Sequence, residues 1–205
     1  MNDQEVEAKF FIKDLKKIET RLQELKARLI QERVHEVNLR FDLPNGSLRA
    51  DGRVLRLRQD TEARLTYKGA STLKEGVLSR TELEFTVGDF ETARNFLEAL
   101  GYVRFALYEK YRRTYELDGS HIMLDELPYG DFIEIEGANL DEIRATAERL
   151  AIHWNAAIPA SYLALFDTFC AERGIESDEL TFEAVDKLQP TARELDIQAA
   201  DEGFS

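Results

Sequence analysis

Along segment after segment of this chain, charged residues recur at every second position with apolar residues between them. In Glu5-Val6-Glu7-Ala8-Lys9-Phe10 the spacing is that of a β-strand, whose successive side chains point to opposite faces, so the three charges share one face. The construction returns at Arg56 and Arg58 between Leu55 and Leu57, and at Arg64, Thr66 and Lys68 against Leu65 and Tyr67. It returns again at Glu82 and Glu84 against Leu83 and Phe85, at Lys110 and Arg112 against Tyr111, and at Glu134 and Glu136 against Ile133 and Ile135. Asp125 lies in the strand before that last pair. Such a chain has to be built on antiparallel sheet with one charged and one apolar face.

Between the strands the spacing changes. Leu15, Ile18, Leu22, Leu25 and Leu29 recur three or four apart, which predicts an amphipathic helix with Asp14 as its N-cap. A second helix is predicted from Asp89 to Gly101, with Phe90, Ala93, Phe96, Leu97 and Leu100 as its apolar side. Residues 71–76 read as loop, and the chain turns helical from Leu140 onward, including residues 177–188, before a polar, frayed end over residues 189–205. The expected organisation is a tunnel domain over 1–170 and a helical extension with a polar tail over 171–205. About eight mostly antiparallel strands suit an α+β fold, a closed eight-stranded antiparallel β-barrel with helices packed outside and a helical C-terminal cap, because closure removes exposed strand edges.

The orientation of the charged faces decides the function. A sandwich with solvated outer faces gives the same alternation on any one strand. Here, however, the charges are sorted by sign within strands, whereas a surface built for solubility intersperses them. If the apolar faces meet the outer helices, the charged faces line the lumen. Like charges two residues apart on a strand lie ~6–7 Å apart and repel by about 2.5 kcal/mol at an effective dielectric near 20. The expectation is therefore an aqueous tunnel whose rows of cations call for a polyanion and whose carboxylates call for a hard divalent cation, Mg²⁺ or Mn²⁺.

Composition bounds the alternatives. The 205 residues carry a net charge of −13, which argues against a general binder of nucleic-acid backbones but leaves room for a local basic site. The one cysteine, Cys170, excludes an internal disulfide and a cysteine metal cluster, and a buried inert thiol is expected there. His35, His121 and His153 are scattered without metal spacing or a nucleophile partner. No apolar run approaches a membrane span, and no secretory core opens the chain, so a cytoplasmic protein is expected.

The opening Glu5-x-Glu7-x-Lys9 resembles the N-terminal signature of CYTH-domain proteins, also called triphosphate tunnel metalloenzymes. The resemblance continues in order through Arg56-Leu57-Arg58-Gln59, Leu65 to Gly69, Arg80 to Glu84, Glu109 to Arg113, Leu124 to Gly137 and Ser161 to Phe166, and spans roughly residues 1–165. Carried over residue by residue, it implies that Glu5, Glu7, Glu134 and Glu136 hold the metal. It implies that Lys9, Arg56, Arg58, Lys68, Lys110 and Arg112 line a triphosphate, with Glu7, Lys9 and Asp125 at the catalytic centre, Asp125 near the nucleophile or metal. Glu82 and Glu84 match acidic positions, as a second metal site or as groups that orient the cations. Arg40 and Arg64 fall on the inward parity as well, as ligand contacts or as structural charges.

The implied activity is metal-dependent hydrolysis of a small-molecule triphosphate, inorganic tripolyphosphate or a nucleoside triphosphate such as ATP. The alternatives are a class IV adenylyl cyclase, a thiamine triphosphatase, and a non-catalytic polyphosphate-binding module. No nucleic-acid or membrane partner is implied, and monomer and homodimer both remain open. Trp154 and Tyr162 are expected to anchor the C-terminal helices rather than touch substrate, and Tyr129 to serve packing. The Ser161–Phe169 stretch is a candidate plug for one end of the barrel.

Overall fold

The computed structural model describes residues 4–175, 177–185 and 191–202. Strand β1 (Gln4–Ile12) leads into α1 (Leu15–Glu24), where the Asp14 carboxylate accepts the Lys17 backbone N–H at 3.1 Å, the predicted N-cap. Then come β2 (Arg28–Asp42), a single helical turn α2 (Ser47–Ala50), β3 (Val54–Gln59), β4 (Ala63–Lys68), β5 (Thr72–Lys74) and β6 (Val77–Val87). Helix α3 (Phe90–Ala99) starts on an Asp89 cap, and β7 (Val103–Leu117), β8 (Ser120–Leu127) and β9 (Gly130–Glu136) follow. Helices α4 (Leu140–Arg149) and α5 (Tyr162–Arg173), the two-residue β10 (Glu179–Leu180) and the one-turn α6 (Phe182–Val185) complete the described chain.

The strands close on themselves. β1 pairs with β9 on one side and β6 on the other, and the path β9-β8-β7-β2-β3-β4-β6 joins the two, so eight antiparallel strands form a ring. β5 adds to β6 and β10 runs parallel to β7 outside the ring. The tight β8–β9 turn needs Gly130, whose φ is +146° and where a Cβ would stand 2.9 Å from the Phe11 ring.

Three apolar clusters fix which face points where. Ala8, Phe10, Ile122, Leu124, Ile133 and Ile135 meet Ile18 and Leu22 of α1 and Ile143 and Ala147 of α4 on the outside of the ring. Leu39, Phe41, Leu55 and Leu57 meet Leu97 of α3. The apolar faces therefore point outward and the charged faces inward, as expected. Cover is incomplete: Leu83 and Phe85 on β6 and Phe96 and Leu100 on α3 stay exposed, because α3 turns only Leu97 fully into the core.

The third cluster closes one end. Phe132 and Tyr108, on the inward parity of β9 and β7, pack with Tyr162, Leu163, Phe166 and Phe169 of α5, so this helix seats where the lumen would otherwise open, and Cys170 is buried among them. The division expected at residue 170 falls inside α5. Residues 71–76, read as loop, contribute β5. The helix expected over 177–188 is instead β10 and the turn α6, its remainder lying outside the described residues. The frayed end expected over 189–205 is packed where it is described: Leu195 and Ala200 are buried, and the Ala200 N–H donates to Phe11 O at 2.9 Å. Among the described residues no helix is long and apolar enough to cross a membrane.

Candidate active site

Strand alternation and ring closure bring the inward charges to one cavity of about 350 Å³. β1 contributes Glu5, Glu7 and Lys9; β3 contributes Arg56 and Arg58; β4 contributes Lys68; β6 contributes Glu82 and Glu84; β7 contributes Lys110 and Arg112; and β9 contributes Glu134 and Glu136. Arg40 of β2, Arg80 of β6, Tyr108 of β7 and Tyr162 of α5 also line it. Eight basic side chains against six carboxylates make this a basic site inside a chain of net charge −13.

The charges are not left to repel one another, as strand spacing alone suggested. Strand register places opposite signs side by side: Glu5 opposite Arg80, Lys9 opposite Glu134, Lys68 opposite Glu82, Arg112 opposite Asp125. Lys9 Nζ lies 3.2 Å from Glu134 Oε1, and Lys68 is paired with Glu5 and lies 3.1 Å from Glu82. Arg58 lies 3.1 Å from Glu84, and Arg112 pairs with Glu134. Buried charge is tolerated because each row faces its counter-row.

Two regions escape this neutralisation. On the acidic side, burial raises the Glu7 carboxyl, reinforced by Glu134 and Glu5. Burial likewise raises Glu136 and pushes Glu82 up to about 7, where Lys68 opposes the shift and Glu5 adds to it. Carboxylates crowded beyond their cations, all with oxygen donors, fit a hard divalent cation chemically. Among the described residues, no three of them converge as a ready metal cage.

On the basic side, Arg40 stands directly opposite Arg56 in the β2–β3 register, and like charges so placed destabilise a sheet. Arg40 belongs to no ion pair among the described residues, and burial, with Arg56, Arg80 and Arg49 nearby, lowers its guanidinium to about 10. The Nε atoms of Arg40 and Arg56 and both amide atoms of the fully buried Asn38 lack hydrogen-bond partners. One wall of the tunnel thus presents buried donors with nothing to donate to.

Two expected residues take up particular positions. Asp125 is fully buried and sits behind the cavity wall, where its carboxylate receives Lys110 Nζ at 3.0 Å, Arg112 Nε at 2.6 Å and the Tyr162 hydroxyl at 2.7 Å, so it holds those cations in place. Tyr162 both anchors α5 and faces the cavity, its ring 4.2 Å from Lys9 Nζ. Arg64 pairs with Asp60 at 2.7 Å and stays outside the cavity lining, its Nε 3.9 Å from Glu84, and Tyr129 is packed as expected. Sequence reading missed Glu36 and passed over Arg80. Glu36 lies 3.5 Å from Lys110 and 3.8 Å from Arg58; burial opposes its ionisation, but Lys110, Arg112 and Arg58 hold it at about 2. Both obey the period-two signal: Arg80 is two residues from Glu82, and Glu36 is four residues from Arg40.

Beside α5 a second chamber of about 320 Å³ adjoins the cavity, bordered by Arg40, Arg80, Val54, Leu78 and Phe105 and, on α5, by Leu163 and Asp167 among others. Arg49 stacks on Phe105 at 4.2 Å while its Nε reaches Asp42 at 3.2 Å.

The CYTH domain family matches residues 3–155. The chain belongs to the CYTH family. The match ends before α5, so the helix that closes the tunnel lies beyond it. Among solved structures, an adenylate cyclase candidate from Vibrio parahaemolyticus aligns with a TM-score of 0.73 at 19% identity, covering 82% of this chain and 99% of that one. The PH1012 protein of Pyrococcus horikoshii aligns at 0.67 and 26% identity over 78% of this chain and 98% of its own. An adenylyl cyclase candidate from Hippeastrum, described as having a dominant triphosphatase activity, aligns at 0.60 and 19% identity over 84% and 97%. No curated protein matches the chain. These likenesses show the shared fold.

Proposed function

We propose that this CYTH protein is a divalent-metal-dependent hydrolase of small-molecule triphosphates, tripolyphosphate or a nucleoside triphosphate. The observation that carries the reading is the Arg40–Arg56 pair, two guanidiniums placed opposite one another with unpartnered buried Nε atoms, facing a cluster of crowded carboxylates across one lumen. A phosphate chain supplies the acceptors that this wall lacks, and guanidinium forks suit its oxygens. Arg56, Arg58, Lys110 and Arg112 then neutralise the chain, Lys9 holds a phosphate oxygen between Glu134 and the Tyr162 ring, and α5 limits water entry from its end. Glu5, Glu7, Glu134 and Glu136 would hold Mg²⁺ or Mn²⁺, which supplies Lewis-acid charge at the reacting phosphate. Asp125 and Glu36 act as positioning residues for Lys110, Arg112 and Arg58. The crowded acids argue against a simple polyphosphate trap, which gains nothing from carboxylates among its cations.

The adjoining chamber favours one second reading. Its apolar wall of Val54, Leu78, Phe105 and Leu163 suits an organic group attached to the triphosphate. With ATP held there, attack by its own ribose hydroxyl gives cyclic AMP and pyrophosphate in place of hydrolysis. Product identification after incubation with tripolyphosphate, ATP or thiamine triphosphate and Mg²⁺ or Mn²⁺ tests both readings: orthophosphate supports hydrolysis, cyclic AMP supports the cyclase, and no turnover of any of them overturns both.

A further inference from the structure

Arg80 occupies an unusual place in the tunnel. On β6 it stands directly opposite Glu5 of β1. Its Nε donates to Glu5 Oε2 at 2.8 Å and its Nη2 donates to Glu7 Oε1 at 3.4 Å. One guanidinium thus bridges the two carboxylates that β1 offers to a metal. A divalent cation and a guanidinium repel each other and compete for the same carboxylate oxygens, so each weakens the other's hold on Glu5 and Glu7. The absence of a three-carboxylate cage among the described residues agrees with that arrangement. Arg80 also borders the adjoining chamber, as Arg40 does, so its long side chain has space to move without a change in the strand.

We propose that Arg80 is the resident counter-ion of the metal site: it bridges Glu5 and Glu7 in the metal-free protein and is displaced toward the adjoining chamber when a divalent cation enters. Metal entry then hands the two carboxylates from Arg80 to the metal and turns the freed guanidinium toward an arriving phosphate. The inference rests on the reading of Glu5 and Glu7 as metal ligands. A guanidinium in this seat tunes metal affinity downward and couples loading of the metal to binding of the anion.

The test is Mn²⁺ binding to the full-length protein without substrate, followed by electron paramagnetic resonance of free Mn²⁺, for wild type, Arg80→Gln, Arg80→Met and Arg64→Gln. Removing the competing cation predicts Mn²⁺ affinity raised by about tenfold or more in both Arg80 variants, whereas Arg64→Gln, which removes equal charge from a residue paired with Asp60 and not with Glu5 or Glu7, stays within about twofold. A second measurement needs only folded wild type: on Mg²⁺ titration the Arg80 Nε–H resonance leaves its hydrogen-bonded position. Arg80 variants that bind Mn²⁺ no tighter than wild type, or an Arg80 resonance that Mg²⁺ saturation does not move, overturn the inference alone. Failure of wild type and every variant to bind Mn²⁺ overturns the metal-site reading beneath it.

Discussion

The Tyr162 hydroxyl donates a 2.7 Å hydrogen bond to Oδ2 of Asp125, the same oxygen that Lys110 Nζ approaches at 3.0 Å. Through this contact the helix that closes the tunnel and the cations that line it share one fully buried carboxylate. Burial, with Asp125 and Glu134 nearby, raises the Tyr162 phenol well above its ordinary value, so the hydroxyl stays a donor.

Tyr162→Phe removes that donor and leaves Asp125 with Lys110 and Arg112. Hydrogen bonds to charged groups contribute about 1.5–3 kcal/mol, and a loss of that size in unfolding free energy is expected in urea titration. Asp125→Ala leaves Lys110 with Glu36 and Arg112 with Glu134 as their remaining partners, and breaking such a buried set costs about 3–5 kcal/mol. A Tyr162→Phe protein as stable as wild type contradicts the account of the α5 seat.

Arg40→Met separates binding from stability. Because Arg40 is a half-buried cation opposite Arg56 with no ion pair among the described residues, its removal relieves repulsion and raises thermal stability. The same change deletes a charge-assisted contact to phosphate, so kcat/KM falls by about 10- to 100-fold, a loss of one or two such hydrogen bonds. A variant that is less stable yet fully active reverses both signs and sinks the assignment.

How much of this was legible beforehand follows from the period of a strand. Alternation at Glu5, Glu7 and Lys9 and at Arg56 and Arg58 fixes which residues share a face, so the lining was readable before any pairing was known. What alternation does not carry is cross-strand register. It hid the matching of Lys9 with Glu134 and Lys68 with Glu82, and made internally paired charges look like uncompensated rows. Depth was hidden too: Asp125 shares the inward parity of the lining residues, but Lys110, Arg112 and Tyr162 converge over it and shut it from the cavity. The packing of Leu195 and Ala200 is a long-range contact in a polar stretch with no local signature.

Glu82 gives the metal-free protein a pH dependence of determined sign. Its carboxyl is pushed up to about 7 by burial, with Lys68 opposing and Glu5 reinforcing, above its ordinary value of 4.5. The folded state therefore holds a proton that the unfolded chain has lost. This contribution is complete below pH 4.5 and disappears as pH rises through about 7. Stability of the metal-free protein, read from melting temperature across that window, should decline more steeply with pH in wild type than in Glu82→Gln. Equal slopes contradict the raised carboxyl.

Tripolyphosphate and ATP turnover by wild type and Lys9→Met, with and without Mn²⁺, tests the central claim most directly. Lys9 is buried against Glu134 and the Tyr162 ring at the centre of the lumen, and methionine preserves its bulk without its charge. The account predicts product release that requires the divalent cation and falls by about 10²-fold or more in Lys9→Met, the scale of losing one fixed charge at a transferring phosphate. Release that persists undiminished without metal or without the Lys9 charge, or no turnover by wild type, would contradict it.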